Sequence, residues 1–212
     1  MSIINCPPGT ALPSAPNPSC PIQWDQIVKI FWRRISGRAT LTTSTILTSA
    51  AVSPLLSATD NTKLVVSPYI ANIVIPKQEP ILTGGNDNTT INGIPRFEGL
   101  PFVPIRGAYI ENADPATIDA LRVALATESS LNGDSNIEGF MVTRFGKLIA
   151  INPSSTTLYG LKMHNIIIGD VSSDGLNKTN QYPIQWDFPP EFSVGAKMYT
   201  PTDYNALTIA NS

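Results

Sequence analysis

Charge, histidine and cysteine are all scarce in this chain of 212 residues. Charged side chains make up 14% of it, against roughly a quarter in an ordinary soluble domain. Lys and Arg number 14 against 16 Asp and Glu, a net −2, which excludes a strongly basic surface for gripping nucleic acid. One histidine, His164, leaves the commonest acid-base group available once only. Two cysteines, Cys6 and Cys20, build neither a disulfide framework nor a four-ligand zinc site. Free thiols and a local Cys6–Cys20 bridge both stay open. No apolar run reaches the roughly 18 residues needed to cross a bilayer, so no membrane partner is expected. Met1 to Asn5 lacks the basic start and apolar core of a secretory signal, which points to folding in a cytoplasm.

What is abundant is apolar residues, at 42%, and proline, at 19. With few charges, Ser, Thr, Asn and Gly must cover the outside, a mixture suited to a β-rich protein that buries much of its surface in an assembly. The length fits one domain with extended arms. Residues 1–22 form the first arm, because Pro7, Pro8, Pro13, Pro16, Pro18 and Pro21 fix φ and remove backbone donors too often for helix or central strand. Such an arm is either a solvated linker or a strap laid across a neighbouring subunit, since polyproline-like chain loses little entropy on docking.

Residues 23–212 then read as a single β-rich domain. From Gln23 a strand carries Ile27, Lys29, Phe31 and Arg33 on one face and Val28, Ile30, Trp32 and Arg34 on the other, so it should be buried on one side and partly covered on the other. Thr40 to Ser49 suits a strand or exposed hairpin. Ser53-Pro54-Leu55-Leu56 suits an N-cap followed by Pro at the first position of one helical turn. Asp60-Asn61 makes a turn, and Leu64 to Ile75 a strand that Pro68 confines to an edge or bulge. Residues 76–104, rich in Gly, Asn and Pro around Gly84 to Gly93, form a projecting loop of irregular chain that runs up to a strand near Ile105 to Ile110. Asp114 caps a helix over about 115–131, with Pro115 at its first position and Ile118, Leu121, Ala124 and Leu125 as its apolar stripe, stopping near Asn132-Gly133. A hairpin follows, Gly139 to Phe145 and Leu148 to Ile151 about Gly146-Lys147. Tyr159 to Val171 and Phe192 to Tyr199 supply later strands. The fold class is therefore mainly β with one flanking α-helix (α+β), a β-sandwich or barrel with an extended N-terminal arm and a long loop.

Catalytic patterns are missing. His164 has no Gly-x-Ser-x-Gly elbow to join, and reads as a strand histidine, hydrogen-bonded or facing solvent. Either cysteine with His164 would make a thiol dyad only on an immobilised arm. Asp170, Asp174, Asp187 and Glu191 could pair as glycosidase carboxylates, but read as solvated loop acids. Asp170-Val-Ser172-Ser-Asp174-Gly175 opens like a calcium loop and then offers Gln181 where a bidentate Glu belongs. Gly84-Gly85-Asn86 lacks the Gly-Lys-Ser/Thr ending of a phosphate loop. The glycosylation patterns at Asn88 and Asn177 mean little without a secretory signal. Arg33, Arg34 and Arg38, near Trp24, Phe31 and Trp32, suggest a stacking surface for single strands or, in preference, ion pairing between subunits. The pentapeptide Pro21-Ile22-Gln23-Trp24-Asp25 recurs at 183–187, and would place two Trp side chains in equivalent grooves of adjacent copies if the echo were functional. No catalytic, cofactor-binding or metal residue is assigned, and the chain is not expected to be an enzyme.

The succession of strand, short helical turn, strand, long Gly/Asn/Pro loop, amphipathic helix and hairpin resembles tailed-bacteriophage virion proteins, above all major tail tube proteins. Ser53 to Lys63, followed by apolar strand and then Thr83-Gly-Gly-Asn-Asp87, is similar to structural proteins of phages of Bacteroides-like hosts. The resemblance spans about Gln23 to Ile151. It implies a homo-oligomer closed into a hexameric ring by sheet pairing, residues 76–104 reaching the next ring, and contacts with other virion proteins. Passive contact with genomic DNA through a weakly acidic lumen, with Arg33 and Arg34 turned away from it, also follows. The location implied is the virion, after assembly in the host bacterial cytoplasm. A capsid decoration, head-auxiliary or neck-ring protein would use the same composition. A carbohydrate-binding β-sandwich built on Trp24, Trp32, Trp186 and the six tyrosines, and a small glycosidase using Asp187 and Glu191, are the readings from other classes.

Overall fold

A computed structural model describes residues 22, 24–84, 95–111, 113–129, 134–153, 156–173 and 180–209. Cys6, Cys20, the six arm prolines, Asn88, Asp174 and Asn177, with the expectations placed on them, lie outside the described residues, as does the expected helix stop at Asn132-Gly133.

Apolar and β-branched content gives 14 strands among the described residues, which are mostly β with two α-helices and several antiparallel sheets. In the larger sheet, strands β1 (Ile27–Arg34), β3 (Leu64–Val66), β8 (Ile137–Thr143), β9 (Leu148–Ile151) and β14 (Ala196–Tyr199) run in the order β14-β9-β8-β1-β3, with β11 (Leu161–Lys162) joined to β8. A second sheet orders β12 (His164–Ile168), β13 (Gln181–Phe188), β7 (Val103–Glu111) and β4 (Ile70–Ala71) as β12-β13-β7-β4. Side chains of both sheets meet in one core: Ile30, Trp32 and Met141 from the larger, Ile105, Ile110, Ile166, Ile184 and Trp186 from the smaller. The opposite face of the larger sheet is buried as well. Phe31, Phe140, Val142 and Leu148 pack there under Leu41, Ile46, Val52 and Leu56. Two covered faces explain why β1 and β8 are buried almost throughout and lack clean alternation.

The segment expected as a strand or hairpin at 40–49 is β2 (Leu41–Thr42), paired with β10 (Thr157–Leu158), and then a 3-10 turn at Thr45–Leu47. Helix α1 runs Ser49–Leu56, so Ser53 is no N-cap and Pro54 lies inside the helix. Its missing N–H removes one bond, and the helix ends two residues later. Pro68 splits Leu64 to Ile75 into β3 and β4, which belong to different sheets: the chain crosses between layers at the residue that cannot donate to a ladder. Tyr159 to Val171 is likewise no single strand. It holds two short strands, β11 and β12, in two sheets, and β10 (Thr157–Leu158) ends just before it.

Helix α2 spans Pro115–Ser129 and is capped by Asp114, whose Oδ2 accepts from the Thr117 amide at 3.1 Å. Ile118, Leu121 and Leu125 are buried as the spacing predicts, whereas Ala124 is exposed. The hairpin of β8 and β9 forms about Gly146-Lys147. The span 76–104 is more regular than expected, since β5 (Ile81–Thr83) and β6 (Arg96–Gly99) form a two-stranded antiparallel ribbon, residues 85–94 lying outside the described residues.

Candidate functional site

The arginine cluster sits where β1 leaves the larger sheet. β1 and β8 pair antiparallel with Arg33 opposite Glu138, and Arg33 Nε donates to Glu138 Oε1 at 2.5 Å. Both side chains are almost wholly buried, at 2% and 3% exposure. The other Arg33 donors reach the Ala39 carbonyl at 2.9 Å and the Leu158 carbonyl at 3.3 Å. Arg38 takes the second Glu138 oxygen at 2.6 Å and lies over the Tyr159 ring. Arg34 pairs with Glu128 at 2.9 Å and donates to Asn61. Burial lowers the Arg33 guanidinium from its ordinary value, and Glu138 opposes that shift. The expected ion pairing between subunits is thus corrected: these three arginines find their acids in their own chain.

The tryptophans are core residues. Trp32 and Trp186 are 1% and 0% exposed, while Trp24, half-buried in a 3-10 turn, meets Phe192 edge-on with centroids 5.3 Å apart. A glycan platform needs exposed rings, which Trp32 and Trp186 do not provide. The pentapeptide echo also dissolves, since Trp24 lies in a turn and Trp186 in interior strand β13.

His164 is buried on β12 and stands edge-on to Phe102 at 5.0 Å. Burial first, and the Lys162 ammonium second, push its imidazole below the ordinary value, against the pull of Asp134 and Asp187. The folded protein therefore holds the neutral ring. The unfolded chain binds the proton more readily, so this contribution is complete above about pH 6.5 and shrinks as pH falls below it. Urea midpoints are expected to drop between pH 7.5 and 5.5, and His164→Gln to flatten that dependence. An equal slope in the variant would remove His164 as its cause.

The three described acids of the four, Asp170, Asp187 and Glu191, have separate surroundings. Asp187 accepts from Arg106 at 2.7 Å and Asn165 at 2.8 Å, beside His164 in the strand register. Asp170 pairs with Arg122 at 3.2 Å. Asp170 is six residues along the chain from His164, roughly 20 Å at strand rise, beyond the ~5–9.5 Å that either glycosidase geometry needs. Glu191 stands on a turn with φ of 58°. At the ends of the calcium-like segment, Ser172 and Gln181 exchange backbone hydrogen bonds at 2.7 and 2.9 Å, residues 174–179 lying outside the described residues. Among the described residues, no three His, Cys, Asp or Glu side chains cluster as metal ligands, and no helix is long and apolar enough to cross a membrane.

Two concavities were legible to no sequence pattern. An open cleft of about 580 Å³ lies between residues 26–28 and 69–73, with Glu111 and Arg144 on its wall. A smaller pocket of about 250 Å³ lies between α2 and the β1–β3 end, walled by Trp32, Val65, Leu121 and Leu125. Among the described residues, neither is lined by His164, Asp170, Asp187 or Glu191.

What distinguishes the outside is how the sheet borders are treated. Border strand β12 is covered by α2: the Ile166 amide donates to Ser129 Oγ at 2.9 Å, and Arg122 donates to the Ile168 and Gly169 carbonyls at 3.0 and 2.7 Å. α1 packs on border strand β3, and β4 is buried at Ile70. β14 has only β9 beside it among the described elements. The β5–β6 ribbon goes further. It pairs only with itself, every residue from Ile81 to Thr83 is exposed, and Leu82 faces Phe97 across the ladder at 53% and 60% exposure. Gln78 Nε2 ties its base, donating to the Pro101 carbonyl at 2.5 Å. No family model, no curated protein and no solved structure matches the chain.

Proposed function

We propose that the protein is a structural component that assembles with copies of itself into rings or a tube, as a virion part and in first place a phage tail tube. One observation carries this reading: among the described residues, a ribbon with exposed apolar side chains pairs with no strand but its own two. An isolated two-stranded ribbon is marginal in water, and exposed apolar strands invite pairing with another chain. A contact that buries Ile81, Leu82 and Phe97 stabilises both the ribbon and the assembly. The scarcity of charge lowers the desolvation cost of stacking, and the arginines that could have opposed it are neutralised internally.

The test is the state of the purified full chain. Sedimentation velocity from micromolar to millimolar concentration, with negative-stain microscopy, is expected to show rings or tubes. A solitary particle throughout would overturn the reading. Assembly only on added capsids would make the protein a decoration or head-auxiliary component, and reject the tube.

A further inference from the structure

We infer that the assembly contact is a strand addition in which β6 of one copy pairs antiparallel with β14 of the next, extending the larger sheet across the subunit boundary. This rests on the self-assembly reading and names its contact. α2 closes the β12 border by bonding its backbone, whereas β14 has only β9 beside it among the described elements, so its border is open to a second copy. Its backbone is set for it. The Asn152 amide donates to the Gly195 carbonyl, and Ala196 faces Ile151. That phase turns the carbonyl of Ala196 and both amide groups of Met198 away from β9.

The incoming strand is chosen by complementarity. β14 reads Ala196-Lys197-Met198-Tyr199 and β6 reads Arg96-Phe97-Glu98-Gly99, each four residues long. Laid antiparallel end to end, they oppose Glu98 to Lys197, Phe97 to Met198 and Arg96 to Tyr199. These are an ion pair, a sulfur–aromatic contact and a cation–π contact, with side chains of like chemistry on matching faces. Lys197, Glu98 and Arg96 are exposed and have no ion-pair partner among the described residues. β5 (Ile81-Leu82-Thr83) carries no charge to match Lys197. The contact is heterologous, each copy giving β6 and receiving on β14, so repetition produces a closed ring or an open helical tube and not a two-fold dimer.

Charge reversal tests it. Glu98→Lys and Lys197→Glu are each expected to weaken assembly about tenfold or more, by placing like charges opposite each other, and the double variant to return to within about threefold of the parent. In a Cys6→Ser, Cys20→Ser background, Glu98→Cys with Lys197→Cys should give chain-to-chain disulfides under oxidised glutathione, seen as a ladder on non-reducing gels, while each single variant gives none of that ladder. Single reversals without effect, a double variant that is not rescued, or assembled protein that yields no ladder would each overturn this pairing while leaving self-assembly standing. A chain that never assembles removes both.

Discussion

Glu138→Leu is expected to cost about 3–5 kcal/mol of folding stability, because it leaves the Arg33 guanidinium charged and buried without its counter-ion. Arg33 cannot escape to solvent at 2% side-chain exposure, held between β1 and β8 and bonded to the Ala39 and Leu158 carbonyls. Replacing both partners, Arg33→Met with Glu138→Leu, should recover at least half the loss, since two apolar side chains can pack in the same space. Recovery stays incomplete because those carbonyls lose a donor and Arg38 loses its acid. Urea unfolding at neutral pH measures all three proteins. A Glu138→Leu loss under about 1 kcal/mol would mean that water reaches the pair.

Removing the ribbon should do the reverse: leave folding intact and abolish assembly. Gln78 and Pro101 already touch through a hydrogen bond, so a short Gly-Ser link replacing residues 80–99 spans a closed base. No other element of the described chain packs along the ribbon, and its side chains are exposed. Loss of so little packing should shift the thermal midpoint by no more than about 2 °C. Sedimentation should then report a single small particle where the parent forms rings or tubes. Leu82→Ser with Phe97→Ser should weaken assembly in the same direction without shortening the chain. Assembly at parental strength after truncation would sink the ribbon's role, and a collapse of the thermal midpoint would show that the ribbon braces the body.

Local signals were the legible ones. Asp114 and Pro115 mark the start of α2 because a cap acts over three residues, and Gly146-Lys147 marks a hairpin because its two strands are neighbours in sequence. Pro54 misled for an equally local reason: its ring suits a first turn, yet contacts from Val52 and Leu56 to the core carried the helix back to Ser49. Tyr159 to Val171 looked continuous because apolar content does not record which sheet each residue joins.

The candidate surface was half visible. Composition determined a β-rich chain with little charge, and the Gly, Asn and Pro of 76–104 led to the expectation of a projection there. Tertiary structure decided the rest, because it turns on partners far apart in sequence. Arg33 meets Glu138 across 105 residues, α2 covers β12 from 37 residues away through Ser129 and Ile166, and β14 has only β9 beside it among the described elements. A residue's chemistry is written in the chain, whereas whether it is spent inside or offered outside depends on what folding brings beside it.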